Sequence, residues 1–303
     1  MTAIAPRRRA WDRSGRRLGA GLTVLPALLL IGLIIAPLIY SLVMSFFEWG
    51  ITDINRDKPF VGLDNWVRLF TDPTVLVAMR NTVVYVIASV GIELVLGFVI
   101  ASALFEMTRG RKLANSLILL PMIVAPVITA LLWRYLLDPQ FGLVSQIARA
   151  LGSPTGIDFF GSPTLALPAL IMVDIWQWTP FVILILHAGM LSIPEEHFEA
   201  ARIDGAGRPR ILRSIVLPAI LPQILLVLLF RTMDTYRIFD TVFVLTRGGP
   251  GTATETIGLY TYRTGFSFFD MGYAMALSVF ILVTVAIISG FYLRLLRRRE
   301  VFA

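Results

Sequence analysis

The clearest indication of how this chain folds is Glu199-Ala200-Ala201-Arg202-Ile203-Asp204-Gly205-Ala206, followed after a short basic segment by Ile215-Val216-Leu217-Pro218. The stretch is polar and helix-forming, whereas the segments on both sides of it are long and apolar. A polar loop between apolar segments lies in water at a membrane surface. We therefore expect it to meet a soluble partner.

Composition places the rest of the chain in a bilayer. Hydrophobic residues make up 56% of the 303 residues and charged residues only 16%, too few to cover a water-facing surface. The chain has no cysteine and two histidines, His187 and His197, which excludes disulfides, thiolate metal sites and a multi-histidine zinc site. The net charge of +7 comes mostly from arginines beside apolar segments, so we expect no nucleic-acid partner.

Apolar windows long enough to cross the hydrocarbon core, about 20 helical residues, predict an all-α polytopic membrane protein with six transmembrane helices. They lie at residues 22–47, 81–106, 113–137, 164–190, 217–240 and 271–294. The distribution of arginine puts both termini in the cytoplasm. The predicted organisation is a basic N-terminus at 1–17, with no signal-peptide cleavage site after it, a membrane domain at 18–298 and a C-terminus at 299–303.

The polar loop, residues 191–217, predicts two short helices with a tight elbow. Ser192 is placed to cap the first helix, and Pro194 and two acids fit its first turn. Gly205 is expected to end that helix in the left-handed conformation, and Pro209 can open the second. Such a helix suits insertion into a groove of a soluble protein. An amphipathic connector on the inner membrane surface fits the same residues.

The spacing of this loop resembles the signature of the membrane subunits of binding-protein-dependent ABC importers. Glu-Ala-Ala, three residues, Gly, nine residues and Ile-x-Leu-Pro is matched by Glu199-Ala200-Ala201, Gly205 and Ile215-Val216-Leu217-Pro218. The resemblance implies a type I ABC importer permease fold, with residues 195–210 as a coupling helix in a cleft of a cytosolic ATPase. The residues it assigns to ATPase coupling are Glu199, the charged contact, Gly205, the elbow, and Ala200, Ala201, Asp204 and Ala206.

Other segments resemble the first permease of maltose- or glycerol-phosphate-type sugar importers. They are Phe60-Val61-Gly62-Leu63-Asp64-Asn65, Asn81-Thr82, Trp176-Gln177-Trp178-Thr179-Pro180-Phe181, Phe239-Asp240 and Leu245-Thr246-Arg247-Gly248-Gly249-Pro250. The resemblance implies a second permease, two cytosolic ATPases that bind the ATP and Mg²⁺, an extracytoplasmic binding protein and a location in a bacterial or archaeal cytoplasmic membrane. This chain itself would bind membrane lipid and solute but no cofactor.

Polar and aromatic side chains inside the fourth and fifth predicted spans are candidates for solute contact. Ionisable groups within a span are costly and mark a bundle interior or a pathway. Sugars are bound by hydrogen-bonding groups together with aromatic faces. The residues that supply those groups are Asp174, Trp178, Phe181, Arg231, Asp234 and Thr235. Arg231 and Asp234 can equally pair with each other or with the second permease, and the aromatic rings can be plain packing.

The resemblance extends the solute site to the third span. By alignment of the family motifs it implies Met122, Pro126, Trp178, Phe181, Arg231, Asp234, Thr235 and Ile238. Family residues at these positions are largely uncharged, so Arg231 and Asp234 depart from the pattern. A sugar, an oligosaccharide, a polyol or a sugar phosphate all remain open as the solute.

The chain has no motor of its own. Its two lysines, Lys58 and Lys112, do not stand in a phosphate-binding loop, and no glycine-flanked nucleophilic serine is present. We therefore predict a transport subunit without catalytic or metal-binding residues. An ion-gradient-driven secondary transporter or channel is the alternative. It would use Asp174, Arg231 and Asp234 as an ion relay, but it leaves the polar loop without a purpose.

Overall fold

The computed structural model of the chain describes residues 31–50, 58–152 and 156–300, together with positions 26 and 28. The described residues are mostly helical, and their only β-structure is two isolated bridges. The helices, numbered in chain order, are α1 (Ile31–Met44), α2 (Asp64–Thr71), α3 (Pro73–Glu106), α4 (Arg111–Ile123), α5 (Pro126–Leu136), α6 (Leu143–Ala150), α7 (Ala166–Leu191), α8 (Glu195–Ile203), α9 (Arg208–Ile211), α10 (Leu217–Ala219), α11 (Leu221–Tyr236), α12 (Asp240–Leu245), α13 (Ile257–Phe266) and α14 (Met271–Glu300).

Three single helices are long and apolar enough to cross a membrane: α3, α7 and α14. They correspond to the second, fourth and sixth predicted spans. α3 begins eight residues earlier than predicted, because Asp72 caps it through Thr74 and Pro73 occupies its first turn. α7 stays continuous through Pro180. By length and composition, these three helices are candidate spans.

The third and fifth predicted spans are broken helices. α4 and α5 meet at 93°, and the segment from Arg208 to Ala219 meets α11 at 65°. The first break falls just before Pro126, where Ala125 is extended, because proline disfavours helical geometry in the residue before it. The second break falls at Ile220, two residues before Pro222. If each pair is one span, the described chain has five candidates.

The first predicted span is only partly described. α1 is apolar but, as described, shorter than a span, and residues 22–30 of the prediction lie outside the described residues apart from positions 26 and 28. The side chains of α1 are mostly exposed. The count of six spans stays a prediction.

The core of the molecule is the packing of α3 on α7. The two helices approach closely at Gly97, where an added Cβ would lie 2.5 Å from Cγ1 of Val182. α11 lies against both helices, and α14 covers α11 and α13. At one end of α3 and α7, a hydrophobic cluster that includes Leu104 and Leu186 continues into α8 through Phe198. The helix of the polar loop is therefore attached directly to the main core.

At the opposite end, α3 binds the loop that precedes α13. The Asn81 side chain donates hydrogen bonds of 3.0 Å to the carbonyls of Thr252 and Glu255, and the Thr82 hydroxyl accepts one from Ile257 N–H. We call residues 246–256 the glycine loop. Tyr260 and Tyr273, whose types also suit a membrane–water interface, are buried here and donate hydrogen bonds to Asp72.

Candidate functional site

The first candidate region is α8 and the turn after it. The helix spans Glu195–Ile203, so it ends just before Gly205 as predicted but begins two residues later than a Ser192 cap implies. It buries Phe198 and Ala201, three residues apart on one face, and exposes Glu199, Ala200 and Ile203. Ile203 is 87% exposed. α8 thus packs one face against the helical core and exposes its other face.

The predicted elbow at Gly205 is confirmed. Gly205 has a φ of +74°, and its N–H bonds to the carbonyl of Arg202 while Ala206 N–H bonds to that of Ala201. This pair of bonds is the Schellman arrangement, which needs a left-handed residue after the helix. Asp204 closes the helix just before it. Ala206 is half-buried beyond the turn.

The predicted Ser192 cap is wrong. The residue before the first turn is Pro194, and the Ser192 hydroxyl instead donates to the Gly189 carbonyl at 2.7 Å. Serine serves here to end α7 rather than to begin α8. The acids Glu195 and Glu196 do lie in the first turn, where the helix dipole favours negative charge.

Two contacts join the polar loop to the end of α3. The rings of Phe198 and Phe105 are 5.5 Å apart between centroids. The Arg208 guanidinium lies 3.3 Å from the Glu106 carboxylate, although both groups are substantially exposed. Between α3 and the loop lies a cavity of about 620 Å³. The ring contact between the half-buried Phe105 and the buried Phe198 is therefore less exposed to solvent than the ion pair.

The second candidate region is a buried group of charges around Arg231. Its Nε lies 2.7 Å from Oε2 of Glu93, and its Nη2 lies 2.8 Å from Oε1 of the same side chain. Nη2 also lies 2.8 Å from Oδ2 of Asp174, and Nη1 lies 3.1 Å from Oδ2 of Asp234. We call Glu93, Asp174, Arg231 and Asp234 the ion cluster. It joins α3, α7 and α11.

The members of the ion cluster differ in exposure. Glu93, Asp174 and Arg231 are 0%, 3% and 2% exposed, whereas the Asp234 side chain is 49% exposed. Arg231 and Asp234 do pair, which is one of the alternatives that the sequence left open, but Arg231 bonds mainly to Glu93. Sequence reasoning missed Glu93. Its signal was an acid in the middle of an otherwise apolar span.

Aromatic rings border the exposed side of the cluster. The Arg231 guanidinium lies 5.0 Å from the centre of the Trp178 ring, within cation–π range. One turn along α7, Phe181 meets Phe230 of α11 edge to face at 6.5 Å. Trp178 and Phe181 are half-buried, and Phe230 is exposed. Aromatic faces and the Asp234 carboxylate thus share one partly open face of α7 and α11.

The remaining residues predicted to contact the solute are Met122, Pro126, Thr235 and Ile238. Met122 and Pro126 flank the α4–α5 break, where Gln177 Nε2 donates to the freed Val124 carbonyl at 2.9 Å. Both residues are half-buried. Thr235 is fully buried and its hydroxyl has no hydrogen-bond partner. Ile238 packs against the apolar cluster that includes Tyr85 and Val242. Thr235 and Ile238 therefore face packed interior.

Among the described residues, no group of three His, Cys, Asp or Glu side chains could hold a metal ion. The carboxylates of the ion cluster are already bonded to Arg231. This arrangement orients a carboxylate and aromatic rings toward the partly exposed face of α7 and α11.

Comparison with known proteins assigns the chain to a family. Residues 93–301 match the family model described as "Binding-protein-dependent transport system inner membrane component". The chain is 36% identical over 245 residues to the trehalose/maltose transport system permease protein of Thermococcus litoralis, covering 80% of this chain and 82% of the relative. It is 33% identical over 302 residues to the sulfoquinovosyl glycerol transport system permease protein of Agrobacterium fabrum, covering 97% and 96%.

A solved structure has the same fold. It is a bacterial alginate ABC transporter in complex with an alginate pentasaccharide-bound periplasmic protein, and the matched chain superposes with a TM-score of 0.81 and 25% identity. The match covers 96% of this chain and 98% of that one. The broken helices and the exposed α8 thus occur within an established architecture. The chain belongs to the family of binding-protein-dependent transport system inner membrane components, the permease subunits of ABC importers.

Proposed function

We propose that the chain is one of two permease subunits of an ATP-driven importer that carries a sugar or related solute across the cytoplasmic membrane. Family membership supports the importer, and relatives named for trehalose/maltose and sulfoquinovosyl glycerol support the solute class. The other proposed partners are two cytosolic ATPases, which bind ATP and Mg²⁺, and an extracytoplasmic binding protein. The alginate transporter structure that contains a periplasmic protein supports the last of these.

The proposed arrangement has six spans with both termini in the cytoplasm. It puts α8 on the cytoplasmic side and the glycine loop on the outer side. The domain boundaries are those given by the sequence, with the coupling loop at 191–217 inside a membrane domain at 18–298. The solute passes between this chain and the second permease, and ATP hydrolysis by the partners opens the path to one side at a time.

The observation that carries the proposal is the two-faced α8. Phe198 and Ala201 fix the helix to the core, while Glu199, Ala200 and Ile203 remain uncovered. An exposed apolar side chain beside an acid fits a groove on a soluble protein. In this proposal the ATPase binds that exposed face, Gly205 sets the angle of the helix, and Asp204 and Ala206 complete the turn.

Co-purification tests the coupling role. The tagged chain should bring down an ATPase subunit, and Glu199→Lys should weaken that association because it reverses the charge on the exposed face of α8. Glu48→Lys is the matched control, since Glu48 is also exposed but lies between α1 and α2. Loss of the ATPase only in Glu199→Lys supports the proposal. Equal retention by both variants, or the absence of any ATPase from the wild-type sample, contradicts it.

We further propose that the solute contacts the partly open face of α7 and α11. Asp234 is half-exposed on a helix of the membrane domain, and a carboxylate facing lipid costs about 2.5–3.5 kcal/mol. It therefore faces water or protein. Trp178 and Phe181 offer ring faces on which a sugar can stack. Met122 and Pro126 line the neighbouring break, and Asp174, Arg231, Thr235 and Ile238 support the face from behind.

Uptake assays test this site. Trp178→Ala and Asp234→Asn should each raise the solute concentration needed for half-maximal uptake, since each removes a contact group from the path. Asp240→Asn is the control, because Asp240 is an exposed acid at the start of α12 and has no bond to Arg231. If uptake by the two site variants matches that of the control, the face is not the solute site.

A further inference from the structure

The ion cluster contains more carboxyl groups than positive charge. Arg231 directs three of its nitrogens at Glu93, Asp174 and Asp234. Asp234 is half-exposed and has a second cation nearby, since Arg237 Nη2 lies 3.8 Å from its Oδ1. Water and Arg237 are therefore both available to the Asp234 carboxyl group. Glu93 and Asp174 have neither water nor a second cation, because both are almost completely buried.

Glu93 and Asp174 share a single nitrogen. Oε1 of Glu93 and Oδ2 of Asp174 each lie 2.8 Å from Nη2 of Arg231, so the two carboxyl groups are close neighbours. Two buried anions beside one cation leave one negative charge without compensation. Burying an unpaired charge is so costly that a carboxyl group in this position keeps its proton instead.

We infer that Glu93 and Asp174 together retain one proton at neutral pH, as a protonation site inside the membrane domain. The buried part of the cluster then consists of one guanidinium, one carboxylate and one carboxylic acid, with no net charge. The other titratable groups beside the pair are Tyr85 from α3 and Asp234 from α11. The proton belongs to the pair rather than to either residue.

Infrared spectroscopy of the purified transporter complex at neutral pH tests the inference. A protonated carboxyl group has a carbonyl stretch that is separate from that of a carboxylate and shifts in heavy water. We expect such a band in the wild type and its loss in Glu93→Gln and in Asp174→Asn, because either amide lets the remaining acid ionise against Arg231. Asp234→Asn and Glu255→Gln are the controls. The part of the band that disappears in Glu93→Gln and in Asp174→Asn should persist in both controls.

Each outcome decides the inference. A band that both single variants leave unchanged, or one that Asp234→Asn removes, overturns it. Each single variant should also fold, since the buried cluster stays neutral, whereas Glu93→Gln combined with Asp174→Asn should lower the recovery of folded complex about tenfold or more by leaving Arg231 without a buried carboxylate and with only the half-exposed Asp234 as its partner. If both single variants fail to fold while Asp234→Asn folds, the neutral pair of one carboxylate and Arg231 is not sufficient for folding, and the inference is wrong.

Discussion

Arg231 on α11 binds Glu93 on α3 through two nitrogens, with Nε 2.7 Å from Oε2 and Nη2 2.8 Å from Oε1. This planar two-point contact is the strongest geometry available to an arginine and a carboxylate. Because Asp174 of α7 binds the same guanidinium, three helices are joined at one buried point. Arg231 is thus fixed within the protein, and Asp234 is the member of the ion cluster whose side chain is half-exposed.

Removal of Arg231 should destabilise the protein strongly. Arg231→Ala leaves Glu93 and Asp174 buried without a cation, and the loss of one partner of a buried ion pair costs about 3–5 kcal/mol. Thermal unfolding of the purified complex measures the effect. Arg237→Ala is the control, since Arg237 is exposed and its contact with Asp234 is long; it should change stability by less than about 1 kcal/mol. Equal melting temperatures for the two variants would contradict this account of the cluster.

Replacement of Gly205 by any other residue should lower the stability of the turn after α8. Its φ of +74° is a left-handed conformation, so Gly205→Ala should cost about 1 kcal/mol even though nothing lies within 4 Å of the added Cβ. Gly205→Pro cannot adopt the angle at all. Solute-stimulated ATP hydrolysis should fall in the order wild type, alanine, proline.

Gly207 provides the matched control for Gly205. It lies two residues later with a φ of −72°, which any residue can adopt. Gly207→Ala should therefore leave ATP hydrolysis near the wild-type rate. If Gly207→Ala impairs coupling as much as Gly205→Ala does, the left-handed turn is not what matters in this loop.

Asn81 should control the order of the glycine loop. Its amide donates to two carbonyls, of Thr252 and Glu255, and Asn81→Ala leaves both without that donor at a cost of about 1–3 kcal/mol. Hydrogen–deuterium exchange should speed up in residues 246–256. Gln146→Ala is the comparison, because Gln146 bonds to the Phe141 carbonyl within its own exposed segment. Unchanged exchange in the glycine loop of Asn81→Ala would show that the loop is held by other contacts.

Asp72 should make stability depend on pH on the acid side. Burial acts to raise its pKa, but hydrogen bonds from the Tyr260 hydroxyl, the Thr74 N–H and the Tyr273 hydroxyl outweigh burial and lower the pKa below its usual value of 3.8. The folded state therefore binds this proton less readily than the unfolded state. The resulting stability is present above pH 3.8 and is lost as the pH falls through the folded pKa.

Melting temperatures of Asp72→Asn across this range provide the measurement. The wild type should be more stable than the variant at pH 7, and the difference should shrink as the pH falls below 3.8. Asp64→Asn, at the exposed first position of α2, is the control and should follow the wild type more closely. A difference that grows toward low pH has the wrong sign for this mechanism.

Much of the fold could be predicted from hydropathy and from the residues that begin and end helices. The apolar windows located α3, α7 and α14, and the glycine at 205 located the end of α8. The sharp angle at the α4–α5 break could not be predicted, because proline weakens a helix without fixing the angle between its halves. That angle depends on tertiary packing and on Gln177, which satisfies the Val124 carbonyl from another helix.

The candidate site was predicted less completely than the fold. Spacing on one helix revealed Arg231 and Asp234, because residues three apart share a face. Glu93 lies 138 positions from Arg231 in the chain, and no local pattern connects residues that far apart. The position of Glu93 within an apolar span was evident from the sequence, but its pairing with Arg231 was not. The predicted cap at Ser192 failed for a related reason, since the end of α7 competed for the same hydroxyl.

The most direct test of the central claim is a cross-link from α8. The chain has no cysteine, so Ile203→Cys places a single thiol on the exposed face of α8 in this subunit. Leu151→Cys is the control, at an 84% exposed position after α6. Treatment of the assembled transporter with a short cysteine-reactive cross-linker should join Ile203→Cys, but not Leu151→Cys, to an ATPase subunit, with a yield that changes when ATP is bound. Cross-linking of neither variant to an ATPase, or of both equally, would contradict the claim that α8 couples this permease to its motor.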